Sequence, residues 1–193
     1  DLFLYNQEEI KAQNLEDIYD LERRLQPCLI DMRMHGVRVD LDAAEKARTT
    51  LSAQEKEVMH QIKKTSGHDI EVWAAASIAK AFDHLNIAYP RTPKSGAPSF
   101  TKNFLSSNEH PLAQMIVEAR EINKANSTFI ETILRHQHKG RIHSEIHQMR
   151  SDDGGTVTGR FSYSNPNLQQ IPARNPLIKK IIRSLFVPER GKR

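Results

Sequence analysis

A second cysteine is missing from this sequence. Cys28 stands alone, which excludes an internal disulfide and any zinc site built on paired thiolates. An intracellular setting is the expectation that follows. Also missing is any run near the eighteen or so consecutive apolar residues of a membrane-crossing helix, so no membrane partner is expected. The start, Asp1-Leu2-Phe3-Leu4-Tyr5-Asn6, has neither the basic region nor the long apolar core of a secretory signal. Opening on Asp rather than Met is expected of a fragment or a processed chain. Acidic residues almost vanish at the other end: from Arg174 to Arg193 there are seven Lys or Arg and one acid, Glu189. From Asp1 to Arg24 the balance reverses, seven acids to three bases. A net charge of +4 divided in this way fits a face that meets phosphate, and it fits solvated helix faces equally well.

What is present is mostly helical pattern. The 193 residues suffice for one good-sized domain or two small ones, and 38% hydrophobic with 27% charged residues permits a modest soluble core. Ile18, Leu21, Leu25, Cys28, Leu29 and Met32 recur at three- and four-residue steps, predicting a helix capped by Asn14 and ended by Gly36. Val37-Arg38-Val39 reads as a short extended link. A second helix starts at Asp40 or Asp42, where Asp42 and Glu45 resemble a capping box, and Gly67 stops it. Its apolar stripe is Ala44, Ala47, Leu51, Val58 and Ile62. Another helix is predicted from Ile70 to Asn86, carrying Trp73, Ile78, Phe82 and Leu85. Three prolines and Gly96 make residues 89–99 a loop. Pro111 suits the first position of a long helix reaching about Arg135.

The run from Gly140 to His147 alternates apolar with polar, predicting one half-buried strand with His143, Glu145 and His147 on one face. With His136 and His138 close by, a metal site comes into view. No third ligand spacing of the usual kind recurs, and no metal ligand is assigned. Asp152-Asp153-Gly154-Gly155 reads as a hairpin turn, and its adjacent aspartates are not assigned a catalytic role. Asn175 is placed to cap a short helix from Pro176 to Leu185. The fold class expected is α+β, mostly helical, with a small antiparallel strand region.

The stretch from Thr156 to Arg174 follows neither period. Gly159, Pro166 and Pro172 punctuate it, Asn165, Asn167, Gln169 and Gln170 supply amides, and Arg160 and Arg174 bracket them. An extended backbone presenting such donors suits a long, polar, anionic partner. In the DNA minor groove every base pair offers acceptors at purine N3 and pyrimidine O2, whichever way round it lies. A row of donors aimed there tests pair shape without reading sequence. The same residues also suit a polar surface loop whose amides cap turns.

Thr158-Gly159-Arg160, Ser162, Pro166-Asn167-Leu168-Gln169 and Ile171-Pro172 resemble a motif of the DNA polymerase I (family A) DNA polymerases. The resemblance runs from about residue 15 to residue 190, with a longer hairpin like that of the phage branch. It implies that Arg160 meets the primer-terminal base pair from the minor groove, with Gln169, Gln170, Asn167 and Arg174 beside it. Met32 to Asp40 is similar to the family's segment at the base of the thumb. Gly140-Arg141-Ile142-His143 with His147-Gln148 is similar to its strand, adding Gln148. The proline loop corresponds to the thumb tip and implies phosphate contacts at Arg91, Lys94, Ser95 and Lys102. Pro111-Leu112 with Arg120, Lys124, Ser127 and Thr128 is similar to the family's long helix, implying that Arg120 and Lys124 grip phosphates. Phe129, Phe161 and Gln170 stand where the family usually has Tyr, Leu and Asn.

By that resemblance residues 1–40 link the exonuclease side to the thumb, residues 41–136 form the thumb with its tip loop at 88–103, and residues 137–193 begin the palm. The family's Asp-Tyr-Ser-x-x-Glu strand, His-Asp-Glu turn and nucleotide-binding Lys helix do not occur in this sequence. No catalytic residue is therefore assigned, and the chain is expected to bind primer–template DNA without catalysis. Mg2+ is expected only for the complete enzyme, whose remaining palm and fingers are the implied partner, in the cytoplasm of a bacterial or phage-infected cell. An apolar palm edge near Ile178, Ile181, Ile182 and Phe186 is then expected to be exposed. The alternatives are a stand-alone duplex-binding module, or the N-terminal half of a split polymerase.

Overall fold

Gly36 and Gly67 end the two long N-terminal helices, and both do so at a positive φ, +66° and +71°, that glycine adopts without strain. The computed structural model describes residues 1–149, 154–172, 175–189 and 191–192. In chain order it runs α1 (Leu2–Ala12), α2 (Glu16–His35), β1 (Val37–Arg38), α3 (Leu41–Ser66), α4 (Ala75–His84), α5 (Lys102–Ser107) and α6 (Pro111–Lys124). A π-helical segment (Ala125–Ile130) follows, then α7 (Glu131–His136), β2 (Gln137–His138), β3 (Arg141–Ile142), β4 (Glu145–His147) and β5 (Ser162–Ser164). A 3₁₀ turn (Leu168–Gln170) and α8 (Pro176–Ser184) complete it. The class is α+β and mostly helical, as the periodicities require. The chain forms two compact units, one of residues 41–134 and 172–185, the other of residues 1–40, 135–171 and 186–193.

The first unit is helical. Ala44, Leu51, Val58 and Ile62 of α3 lie on one face and are all buried against α6, whose Leu112, Ala113, Ile116, Ala119 and Ile122 are buried in turn. Pro111 opens α6, and the His110 side chain accepts the Leu112 amide. The helix expected to run unbroken to Arg135 instead widens into the π segment, where Asn126 Nδ2 reaches Ser52 Oγ on α3 at 2.9 Å. The helix expected from Ile70 begins only at Ala75. Ile70 and Val72 are buried while Glu71 and Trp73 are exposed, and a turn closed by Ala74 N donating to the Glu71 carbonyl at 3.0 Å sends two apolar side chains inward before the helix starts. Phe82 then packs edge-on against Phe100, with ring centroids 4.9 Å apart.

Asn175 caps α8 as expected, accepting the amides of Leu177 and Ile178. The helix is very amphipathic and buries Ile178 and Ile182 against the π segment. The expected exposed edge is therefore absent: Ile178 and Ile182 are buried, and Ile181 and Phe186 are half-buried. A four-residue step between the two isoleucines gives α8 one apolar stripe, and this chain itself supplies the surface that covers it.

The second unit carries the strands. β1 and β2 flank β3 in an antiparallel sheet, pairing Val37 and Gln137 with Ile142, and Arg38 and His138 with Arg141. The expected single strand from Gly140 to His147 is two, because β4 turns away to pair with β5, Glu145 opposite Ser164 and His147 opposite Ser162. His143 marks the break, its Nδ1 2.8 Å from the Arg33 carbonyl. Gly36 makes this approach possible: a Cβ there would lie 2.7 Å from His143 Nδ1 and 2.8 Å from the Ile142 carbonyl oxygen. Arg141 Nη1 donates to the His35 carbonyl at 3.1 Å while its Nη2 pairs with Glu189. Asn14 does not cap α2. It takes a left-handed turn at φ +54° between α1, which buries none of its residues, and α2, which starts one residue later than a cap at Asn14 would place it. No helix among the described residues is long and apolar enough to cross a membrane.

Candidate nucleic-acid interface

The polar side chains between Thr156 and Gln170 mostly serve the segment's own backbone. Thr156 Oγ1 donates to the Arg160 carbonyl at 2.7 Å and accepts from Thr158 Oγ1 at 3.3 Å. Gly159 supplies the positive φ, +70°, that closes this turn. Asn167 accepts the Gln169 amide at 3.0 Å and so caps the 3₁₀ turn, while Gln169 Nε2 donates to the Phe161 carbonyl at 2.9 Å. Arg160 is left over. Its side chain is exposed and has no hydrogen-bond or ion-pair partner among the described residues, and the Gln170 side chain is open in the same sense. The stretch expected to be extended throughout thus contains a short strand and a 3₁₀ turn. Arg174 and the first half of the expected Asp152-Asp153-Gly154-Gly155 hairpin lie outside the described residues.

Beneath this segment, Glu145 gathers the hairpin. Its Oε2 accepts from Ser164 Oγ and from Asn165 Nδ2, both at 2.9 Å, and Arg33 lies 3.6 Å from its Oε1. The Ser164 and Asn165 hydrogen bonds hold the Glu145 carboxyl below its ordinary range, with Arg33 adding to the effect. Because Ser164 gives its one hydroxyl proton to Glu145, His147 Nε2, 2.7 Å from the same Oγ, must be the donor there. Glu145 and His147, read from sequence as potential metal ligands, are turned to each other's hydrogen-bond partners. Among the described residues no group of three or more His, Cys, Asp or Glu is placed to hold a metal ion. Gln148 is likewise engaged: its Nε2 donates to the Glu22 carbonyl at 2.9 Å and also meets the Glu22 carboxylate.

In the helical unit the proline loop is a tight turn. Gly96 N donates to the Thr92 carbonyl at 2.9 Å, Thr92 N to the Ala97 carbonyl at 2.8 Å, and Arg91 Nη1 to the Gly96 carbonyl at 3.0 Å. Ser95 Oγ lies 2.6 Å from Thr92 Oγ1, so the hydroxyl read as a phosphate donor is shared within the turn. Lys94 projects from it, exposed and unpaired among the described residues. Lys102 is paired with Glu121 at 2.7 Å. Burial pushes the Glu121 carboxyl up, but hydrogen bonds from Lys102 and Asn175 outweigh it and leave it below its ordinary range. Arg120 faces inward. Its Nε donates to the Val72 carbonyl at 2.7 Å and its Nη1 to the Phe100 carbonyl at 2.8 Å, and burial lowers its pKa. Lys124, one helical turn on, is exposed and unpaired among the described residues.

Of the side chains expected to meet nucleic acid, the strand-bearing unit thus leaves Arg160 and Gln170 open, and the helical unit leaves Lys94 and Lys124. Asn167, Gln169, Gln148, Ser95, Lys102 and Arg120 hold the protein itself. Sequence reasoning missed Glu145 in its organising role. The available signal was its opposition to a Ser-Asn pair across a hairpin, which only the register reveals.

Three comparisons with known proteins bear on this arrangement. The family described as DNA polymerase family A matches residues 41–193. A DNA-directed DNA polymerase of Pseudomonas phage M6 is 35% identical over 95% of this chain and 29% of its own length. DNA polymerase DpoZ of Vibrio phage phiVC8 is 35% identical over 99% of this chain and 32% of its own. The thermostable DNA polymerase I of Thermus filiformis is 32% identical over 89% and 21%. The chain therefore spans about a third or less of the length of these curated relatives. Among solved structures, the POL domain of Pol1 from M. smegmatis, in complex with DNA primer-template and dNTP, superposes with a TM-score of 0.73. It is 26% identical, over 87% of this chain and 29% of that one.

Proposed function

The chain belongs to DNA polymerase family A, and from that premise we propose that it holds primer–template duplex for a template-directed DNA polymerase. The observation that carries this reading is the open Arg160. Its neighbours Thr156, Thr158, Asn167 and Gln169 are consumed in bracing the loop's backbone, and the loop's one strong donor fork is left free. A guanidinium held in this way can donate to purine N3 or pyrimidine O2 of any correctly shaped pair. Gln170, exposed and without a hydrogen-bond partner among the described residues, is a second, neutral donor. Lys94 and Lys124 supply point charges for phosphates, which position a duplex without reading it. The solved relative's complex with primer-template supports the same ligand.

Nucleotidyl transfer would be carried out by carboxylates that this sequence does not contain, in the remaining palm and fingers of the assembled enzyme. Mg2+ belongs to that part of the reaction. Among the described residues the donors do not fit a Mg2+ site, since no group of three or more His, Cys, Asp or Glu is placed to hold an ion and Glu145 is satisfied by Ser164, Asn165 and Arg33, and no step is derived through the metal. This chain by itself is proposed to bind and not to extend a primer. A second reading, a duplex-binding module that works without further chain, is favoured by one observation: α8 keeps its apolar stripe buried. Against it, Leu2, Phe3, Leu4, Ile18, Leu21 and Met34 on α1 and α2 are all more than half exposed, more apolar surface than a self-contained module needs.

The test is fluorescence anisotropy with a recessed primer–template and a blunt duplex of equal length. Arg160→Ala should weaken binding to the primer terminus by about tenfold or more, the cost of one charged hydrogen-bonding contact, and weaken blunt-duplex binding less. Equal losses on the two ligands would reduce Arg160 to a phosphate contact. Absence of binding to either by the unsubstituted chain would overturn the reading.

A further inference from the structure

Arg120 sits where two segments of the helical unit converge on α6. Its two short bonds go to backbone carbonyls that bracket α4 and the tip turn: Val72 just before α4, and Phe100 just after the turn of residues 92–97. The guanidinium also lies over the Trp73 ring, with its central carbon 5.2 Å from the centroid. Trp73 is tied in turn, its indole Nε1 donating to Asn123 Oδ1 at 3.0 Å, and Asn123 Nδ2 donates to Glu55 on α3 at 2.8 Å. The chain from Val72 to Phe100 is therefore an excursion whose two ends are fastened by one side chain. Lys94, at its far point, has no fastening of its own among the described residues.

We infer that Arg120 is a positioning residue that fixes the tip turn, and with it Lys94, by clamping the Val72 and Phe100 carbonyls and stacking on Trp73. It is not a bidentate ligand for phosphate, because two of its three guanidinium nitrogens, Nε and Nη1, are committed to backbone carbonyls. The inference deepens the duplex-holding reading but stands on contacts made without DNA. A lysine cannot replace it, since a single ammonium has neither the fork for two divergent carbonyls nor the plane for the ring. This gives the clamp a signature that a simple charge lacks.

Trp73 is the one tryptophan of the chain, so its fluorescence reports the clamp directly. The experiment compares the unsubstituted chain with Arg120→Lys, Arg120→Ala and, as a charge control, Lys124→Ala. In each, acrylamide quenching of Trp73 and amide exchange across residues 90–101 are measured without DNA. The salt dependence of duplex affinity is measured separately. The clamp predicts that Arg120→Lys behaves like Arg120→Ala. Quenching rises in both, and tip amides exchange about ten- to a hundredfold faster, the worth of one or two charged hydrogen bonds. The slope of log affinity against log salt is the same in both, whatever share of the Lys94 contact is lost. If Arg120→Lys matches the unsubstituted chain in exchange and quenching, or keeps a salt slope that Arg120→Ala loses, the inference is overturned. Global unfolding of Arg120→Lys would overturn it too, since the role would then be general rather than local. Should no variant, nor the parent, bind duplex, the functional reading falls while quenching and exchange still decide the clamp.

Discussion

Glu145 organises the hairpin beneath Arg160 through hydrogen bonds that are strongest to its ionised form. Both short bonds, from Ser164 and Asn165, go to its Oε2, and protonation removes the negative charge that strengthens them and that Arg33 faces at 3.6 Å. Those bonds place its folded pKa below the ordinary 4.5, which fixes the sign of the pH dependence. The stability it contributes is complete above about pH 4.5 and is lost as pH falls through the lower folded value. Amide exchange at β5 should therefore accelerate in that acid window ahead of the helical unit. Glu145→Gln should flatten the response, because a neutral amide no longer titrates; an unchanged profile would mean that other carboxylates govern it. His143 imposes a second residue-scale constraint through Gly36. Alanine there would meet both a positive φ of +66° and contacts of 2.7–2.8 Å to backbone and ring. Gly36→Ala should cost about 1–3 kcal/mol in chemical denaturation, and a smaller loss would show that the His143 ring can swing clear.

At the scale of elements, what was legible in the sequence was set by local chemistry. Pro111 and Asn175 mark helix starts because one lacks an amide that the first turn does not need and the other offers an oxygen that it does. Asn175 also donates to Glu121 at 2.7 Å, so Asn175→Ala should remove both a cap and a bridge. Thermal or denaturant unfolding should register about 1–2 kcal/mol. If the loss is negligible, solvent can replace both bonds and α8 is held by Ile178 and Ile182 alone. What was not legible depends on partners distant in sequence. The break at His143 exists because β3 and β4 pair with different strands. The delayed start of α4 exists because Ile70 and Val72 reach the core around a turn closed between Glu71 and Ala74. The widened turn after Lys124 has no composition signal either; it is recorded in the Asn126–Ser52 bond across 74 positions. For the interface the same division holds: the motif around Arg160 could be read directly, whereas the inward turn of Arg120 could not, since a basic residue spaced four from Lys124 looks the same facing either way.

For the molecule as a whole, the charges that remain open decide how it should respond to salt. A phosphate contact releases counterions, so each one removed lowers the slope of log affinity against log salt by about 0.9 on duplex DNA. Lys94 and Lys124, exposed and unpaired among the described residues, should each produce that change when replaced by alanine. Lys102 should not, because its ammonium is already neutralised by Glu121 at 2.7 Å. Arg160 separates from all three. A donor in the minor groove meets base edges, so Arg160→Ala should lower affinity at a primer terminus while leaving the slope nearly where it was. Titrations at a series of salt concentrations on one duplex sort the four substitutions at once. A slope that drops for Arg160→Ala as it does for Lys94→Ala would mean that the open fork grips the backbone, and the loop built around it would then be a phosphate cradle rather than a gauge of base-pair shape.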